Sequence, residues 1–181
     1  VLIFNMEFIN EIINIRILIL SYIILLIYLL LFNFLNKLYL GDSGSYLLGV
    51  SIGSLLIFIY KEISFISPFF IVLLLWYPCF ENLFSIIRKK RFNLSPLNAD
   101  NKHLHHLLFH YINSNYKYTK IFSNNLSSVL INLVNLIFFV IGANYVNNSL
   151  IQIILIFSLI LIYISTYLIL FKYRYKKFFN H

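Results

Sequence analysis

Two short stretches of this chain carry residue types that can do chemistry. The first is Leu38-Tyr39-Leu40-Gly41-Asp42-Ser43-Gly44-Ser45, in which one of only six carboxylates sits among glycines and serines between two long apolar runs. An anion at the mouth of a membrane span is costly, which points to function. Flanking glycines let the backbone turn sharply. Ser43, Gly44 and Ser45 offer backbone N–H groups at the start of the following helix, an anion site, and a carboxylate beside such donors suits a hard cation such as Mg2+ clamping a phosphate. The plain alternative is that Asp42 caps that helix. The second stretch is Asp100-Asn101-Lys102-His103-Leu104-His105-His106-Leu107-Leu108-Phe109-His110, which gathers four of the five histidines within eight residues. Imidazoles there could hydrogen-bond a diphosphate or a uracil ring and stabilise developing charge. Zinc is a second reading, since His106 and His110 stand four apart, but no cysteine or carboxylate pattern completes a tetrahedron. Chance clustering in a polar loop is the third.

The elements that must position these groups are membrane spans. The 181 residues are 61% hydrophobic and 11% charged, which places the chain among all-α polytopic membrane proteins. Five apolar runs are predicted to cross: roughly residues 12–35, 45–60, 63–82, 121–144 and 149–171. The net charge of +8 is distributed for topology rather than for nucleic acid, so no nucleic-acid partner is expected. Twelve of the fourteen basic residues fall on the side of the Asp42 turn, the 88–120 segment and the C-terminal tail, leaving Arg16 and Lys61 on the other. The positive-inside rule then predicts an N-terminus outside, a cytoplasmic C-terminus, and a cytoplasmic loop at 88–120 with a short His-rich helix, all within a single transmembrane helical domain. Glu7, Glu11 and Arg16 argue against a cleavable leader, and the lack of methionine at position 1 leads to the expectation that something precedes it. Cys79 stands alone, so no internal disulfide forms.

Other residues carry weaker signals. Asn33 faces either solvent or the Asp42 turn. Ser45, Gly49 and Gly53, four apart, predict close helix packing. Pro68 falls within the third predicted span. Trp76 and Tyr77 suit an interfacial belt, Pro78 a kink, and Glu81 an ion pair with Arg88 two turns on. Arg88-Lys89-Lys90-Arg91 reads as a headgroup anchor. Ser95-Pro96 signals a turn, and Asn98-Ala99-Asp100 the entry to the histidine helix. Asn125, Asn132, Asn135 and Gln152 are expected to bond between helices. The basic, aromatic tail from Lys172 reads as an interfacial anchor.

Taken together and in this order, the two stretches resemble the polyprenyl-phosphate N-acetylhexosamine-1-phosphate transferases. Leu40 to Leu48 is similar to that family's Gly-Asp-x-Gly-Ser/Ala signature with its trailing Leu-Gly, and Asn33-Phe34 sits where an asparagine often precedes it. Pro78 to Glu81 is similar to a segment of proline followed by an acid. Asp100, His103, His105 and His106 resemble the loop written Asp-Arg-x-His-x-His-His, with Asn101 in place of the arginine and Lys102 beside it. The likeness covers residues 30–110. It implies transfer of a sugar 1-phosphate from a UDP-sugar to polyprenyl phosphate, the first membrane step of cell-envelope polysaccharide synthesis, in the bacterial inner membrane with the site on its cytoplasmic face. It further implies Asp42 as the Mg2+ ligand, with His103, His105 and His106 as the catalytic imidazoles. Asn33, Gly41, Ser43, Gly44, Ser45 and Lys102 would contact substrate, and Glu81 and Asp100 would support helix ends and histidine tautomers. The family's paired aspartates on an early loop, and a later Asn and Asp motif, have no counterpart here. The chain is therefore expected to correspond to a C-terminal half that is inactive alone, completed by an N-terminal half or a homodimer partner. A non-catalytic membrane subunit or metal-binding transporter fragment is the alternative.

Overall fold

The computed structural model describes residues 2–175 apart from 36, 64, 94, 96–100 and 117, with side chains from Arg16 onward. Among these described residues the chain is all-helical: α1 (Leu2–Phe34), α2 (Gly41–Glu62), α3 (Pro68–Arg91), α4 (Leu104–Tyr116), α5 (Lys120–Asn144) and α6 (Ser149–Arg174). Five stretches are long and apolar enough to cross a membrane, namely Arg16–Phe34 and the whole of α2, α3, α5 and α6. The protein is thus a multi-pass membrane protein. The 13-residue α4 is short and amphipathic, burying Leu104, Leu107 and Ile112.

Local chemistry sets the helix limits, and it moves two of the expected spans. Helix α2 begins at Gly41, not at Ser45, because Gly41 itself makes the turn, with φ of +62°. Helix α3 starts late and runs long. Ser67 caps it from an extended backbone and accepts the Phe69 N–H (3.3 Å), and Pro68 takes the first helical position, where its missing N–H costs nothing. Its far end passes through the basic run, whose residues are good helix formers, and stops after Arg91, with Asn93 in the left-handed region (φ 54°). Thr119 caps α5 through the Phe122 N–H, and Asn148 caps α6 through the Leu150 and Ile151 N–H groups. The predicted helix entry at Asn98-Ala99-Asp100 lies outside the described residues, and the histidine helix begins at Leu104.

The chain divides into two compact units, residues 1–54 and 55–181. In the first, the Tyr22 and Ser51 hydroxyls hydrogen-bond between α1 and α2. Nothing lies within 4 Å of a β-carbon placed on Gly49 or Gly53, so the small-residue stripe is not an internal packing seam of this unit. In the second, α3, α5 and α6 pack together and α4 packs on α5 and α6. Their shared core is Leu73, Trp76, Leu104, Leu107, Leu159, Tyr163, Tyr167 and Leu170. Trp76 is therefore no interfacial residue. It lies well inside α3 and donates its indole N–H to Asn135 Oδ1 of α5 (3.0 Å), a partner the apolar core otherwise lacks. Gln152 is fully buried and donates to the carbonyls of Gly142 and Tyr145, both at 2.8 Å. Asn132, by contrast, is exposed on α5.

Polar contacts fix the two ends of the second unit. At one end the Ser67 N–H donates to Val146 O (2.9 Å), and the Ser67 and Ser149 hydroxyls meet at 2.8 Å. At the other, Arg88 Nη1 donates to Lys102 O (2.9 Å) and Arg174 Nη1 to Asn101 O (2.7 Å). The basic end of α3 and the last turn of α6 thus stand with the histidine helix. The basic run does not turn wholly outward as a headgroup anchor would. Lys89 is buried and Arg88 half-buried, because a helical run of four must present part of itself to the bundle.

Candidate functional site

In the first unit, Asp42 is the second residue of α2 and is exposed. Its carboxylate sits in the first turn, where the unpaired N–H groups of the helix favour negative charge. Gly41 supplies the left-handed backbone that starts the helix. At Gly44 a β-carbon would stand 3.0 Å from Leu40 Cδ2, so glycine there lets the turn close on Leu40. Ser45 Oγ donates to Asp42 O (2.8 Å) within the turn, and Ser43 is exposed. Asn33 is exposed at the end of α1, its amide 3.5 Å from Leu38 O. Asp42, Ser43 and Ser45 all present oxygen, the donor type that Mg2+ prefers, and a single carboxylate beside a substrate phosphate is an ordinary Mg2+ arrangement. The residues present therefore fit that ion.

In the second unit, three imidazoles gather at the head of α4. The ring of His105 lies 5.8 Å from that of His103 and 4.2 Å from that of His106, and His103 and His106 stand 6.3 Å apart. They are fixed from below by Glu81 of α3. Glu81 Oε1 lies 2.9 Å from His103 Nδ1 and accepts the Leu104 N–H (3.1 Å), while Oε2 accepts the Tyr163 hydroxyl (2.8 Å). Three donors converge on one carboxylate, which as an anion only accepts, so the His103 proton belongs on Nδ1. The carboxylate also serves the first N–H of α4, where an anion is favoured by the helix dipole. A helix in the loop thus takes its cap from a membrane span 23 residues earlier.

Glu81 and Arg88 do share a face of α3, yet they are not partners. Seven residues of helix separate them by about 10 Å, so each meets a different turn of α6. Glu81 meets Tyr163, whereas Arg88 donates to Tyr167 Oη (3.0 Å) and Ser85 Oγ (3.3 Å) and lies within 6 Å of the Phe84 and Tyr167 rings. Through Nη1, Arg88 also holds the Lys102 carbonyl, the residue just before the histidines. Tyr163 and Tyr167 carry no chemistry in the sequence reading. The signal was there, since two hydroxyls one turn apart in an otherwise apolar span need partners inside the bundle.

The electrostatics of the cluster follow from its crowding. Withdrawal of water by the surrounding protein, then the charge that His106 would carry, hold the His105 pKa below the usual 6.5, with Glu81 opposing. His110, on the same helix, is held down by loss of water and by Arg174. Among the described residues no group of three His, Cys, Asp or Glu side chains is placed to hold a metal, and His106 and His110 gather no further ligand. Beside the cluster is an apolar cavity of about 290 Å³ walled by Trp76, Leu104, Leu108, Leu130, Tyr163 and Thr166. Asp100 lies outside the described residues. The structure therefore brings together His103, His105, His106, Glu81 and the Lys102 backbone in one unit, and Asn33, Gly41, Asp42, Ser43, Gly44 and Ser45 in the other.

Comparison with known proteins gives this geometry a setting. The chain is similar to two polyprenyl-phosphate sugar-phosphate transferases. One is the probable undecaprenyl-phosphate N-acetylglucosaminyl 1-phosphate transferase of Bacillus subtilis, 39% identical over 74 residues, which make up 40% of this chain and 20% of that protein. The other is the decaprenyl-phosphate N-acetylglucosaminephosphotransferase of Mycolicibacterium smegmatis, 34% identical over 84 residues, 40% of this chain and 21% of that protein. The chain thus spans about a fifth of the length of the curated relatives it matches. No family model and no solved structure matches it.

Proposed function

We propose that this chain forms part of an enzyme that moves a sugar 1-phosphate from a UDP-sugar of the N-acetylhexosamine type to polyprenyl phosphate, with release of UMP. The observation that carries the reading is the trio of imidazoles at the basic end of an apolar bundle, in a chain similar to two transferases named for that chemistry. The reaction is attack by a lipid phosphate oxygen on the β-phosphorus of the nucleotide sugar. Both reactants are anions, so the site must neutralise charge while it aligns them.

His103, His105 and His106 hold the diphosphate and stabilise the charge that develops on its oxygens, with Lys102 adding a cation beside them. Asp42 holds Mg2+, which when bound offsets phosphate charge, and the N–H groups of Ser43, Gly44 and Ser45 favour a phosphate at the head of α2. Glu81 fixes the start of α4, and Asp100 serves the same loop. The apolar cavity beside α4 suits part of an isoprenoid chain, being lined almost wholly by hydrocarbon and aromatic rings. The site would then lie at the cytoplasmic face of a bacterial inner membrane, a reading that the one-sided distribution of twelve of the fourteen basic residues along the sequence supports.

The test is sugar-phosphate transfer measured in membranes with Asp42→Asn in the full-length protein. Loss of about a hundredfold or more in turnover is the expected result. Near-normal turnover removes Asp42 from the site.

A further inference from the structure

We propose that Tyr163, in the last span, is a positioning residue for the histidine cluster, acting through Glu81. The inference deepens the transferase reading and rests on it for its kinetic part alone. Glu81 has two oxygens in a largely apolar bundle. Oε1 is shared between His103 Nδ1 and the Leu104 N–H, and Oε2 takes the Tyr163 hydroxyl at 2.8 Å. A buried carboxylate keeps one orientation only while each oxygen is satisfied. Tyr163 meets that need from a third element and is itself held edge-on against Trp76, Phe80 and Phe84. Its ring is 2% exposed, so the hydroxyl has no competing route to water.

The consequence reaches the chemistry through one proton. With Glu81 held, the ring proton of His103 is fixed on Nδ1, and Nε2 is the nitrogen through which His103 acts on substrate. The same oxygen pins the N-terminus of α4, which carries His105 and His106 directly behind it. Without the Tyr163 hydroxyl Oε2 loses its 2.8 Å donor and the carboxylate turns toward its other hydroxyl neighbour, Tyr77, so that the two tautomers of His103 mix and the head of α4 loosens.

The experiment uses the full-length enzyme in lipid nanodiscs with 15N-labelled histidine, the His103 signal being assigned by its absence in His103→Gln. The parent protein is expected to show His103 protonated on Nδ1. Tyr163→Phe keeps the ring and its packing; it should give a mixture of tautomers and a kcat about tenfold lower, with KM for the UDP-sugar little changed. Glu81→Leu removes the acceptor; it should shift His103 to the Nε2-protonated form and lower kcat about a hundredfold. The parental tautomer in Tyr163→Phe, whatever Glu81→Leu shows, or an altered tautomer with unchanged kcat, overturns the proposal. Should the parent transfer no sugar phosphate, the functional reading fails, while the nitrogen signals still decide whether Tyr163 and Glu81 set the proton.

Discussion

At the scale of single residues the cluster makes a prediction about pH. His105 has its pKa held below 6.5, so it is neutral at pH 7, with His106, His103 and Glu81 as its charged or titratable neighbours. The diphosphate of a UDP-sugar stays ionised through this range and binds the cationic ring better than the neutral one. Affinity should therefore rise as the pH is lowered through 6.5 and below, by up to about tenfold for each unit by which binding raises the pKa. Titration calorimetry across that range should show the rise, and His105→Gln should flatten it. The sequence made these imidazoles visible because histidine is rare in such a lipid-soluble composition. It made Glu81 visible too, as an acid at membrane depth, but paired it with the wrong residue. Helical periodicity reports which side chains share a face and nothing about which other helix that face meets, and Tyr163 is 82 residues away.

At the scale of helices, glycine has two different meanings here. A β-carbon on Gly142 would stand 2.5 Å from Leu73 Cδ2 and 3.0 Å from Gln152 Oε1, both on fully buried side chains. Gly142→Ala should cost about 1–3 kcal/mol, read as a lower midpoint of thermal unfolding in detergent. On Gly49 the same atom meets nothing, so Gly49→Ala should leave that midpoint unchanged or raise it, helix propensity adding up to about 1 kcal/mol of stability. Spacing alone made Gly49 and Gly53 look like the packing glycines and gave Gly142 no mark, since close approach depends on which helix lies opposite. The helices themselves were legible from hydropathy, and their limits less so. Trp76 illustrates why: counted from a span taken to begin at residue 63 it sits near an interface, whereas the Ser67 cap and Pro68 shift α3 toward its basic end and draw the indole into the core.

At the scale of the whole molecule, the distribution of charge predicts sidedness. With Cys79 replaced by serine, single cysteines at Lys37 and Lys90 should be labelled by a membrane-impermeant thiol reagent only from the cytoplasmic side, and one at Lys61 only from outside. The chain holds two aspartates, Asp42 and Asp100, and the family resemblance implies further acidic residues, on loops that have no counterpart in these 181 residues. The purified 181 residues should therefore show no Mg2+-dependent transfer in vesicles supplied with polyprenyl phosphate and UDP-sugar, a result that radiolabelled lipid product would contradict. Membrane class and span number could be read from composition, because hydrocarbon thickness imposes a length on every crossing helix. The division into two units could not, since it depends on which surfaces meet after insertion.

The link between Glu81 and Tyr163 also orders events at the ribosome. The carboxylate is translated and enters the bilayer 82 residues before the hydroxyl that completes its shell has been made. A nascent polypeptide halted between His106 and Tyr163 would already contain every imidazole of the cluster, yet it would lack the hydroxyl that holds Glu81 beneath them. A nonsense codon anywhere ahead of Tyr163 should thus silence the site as thoroughly as deleting the histidines themselves.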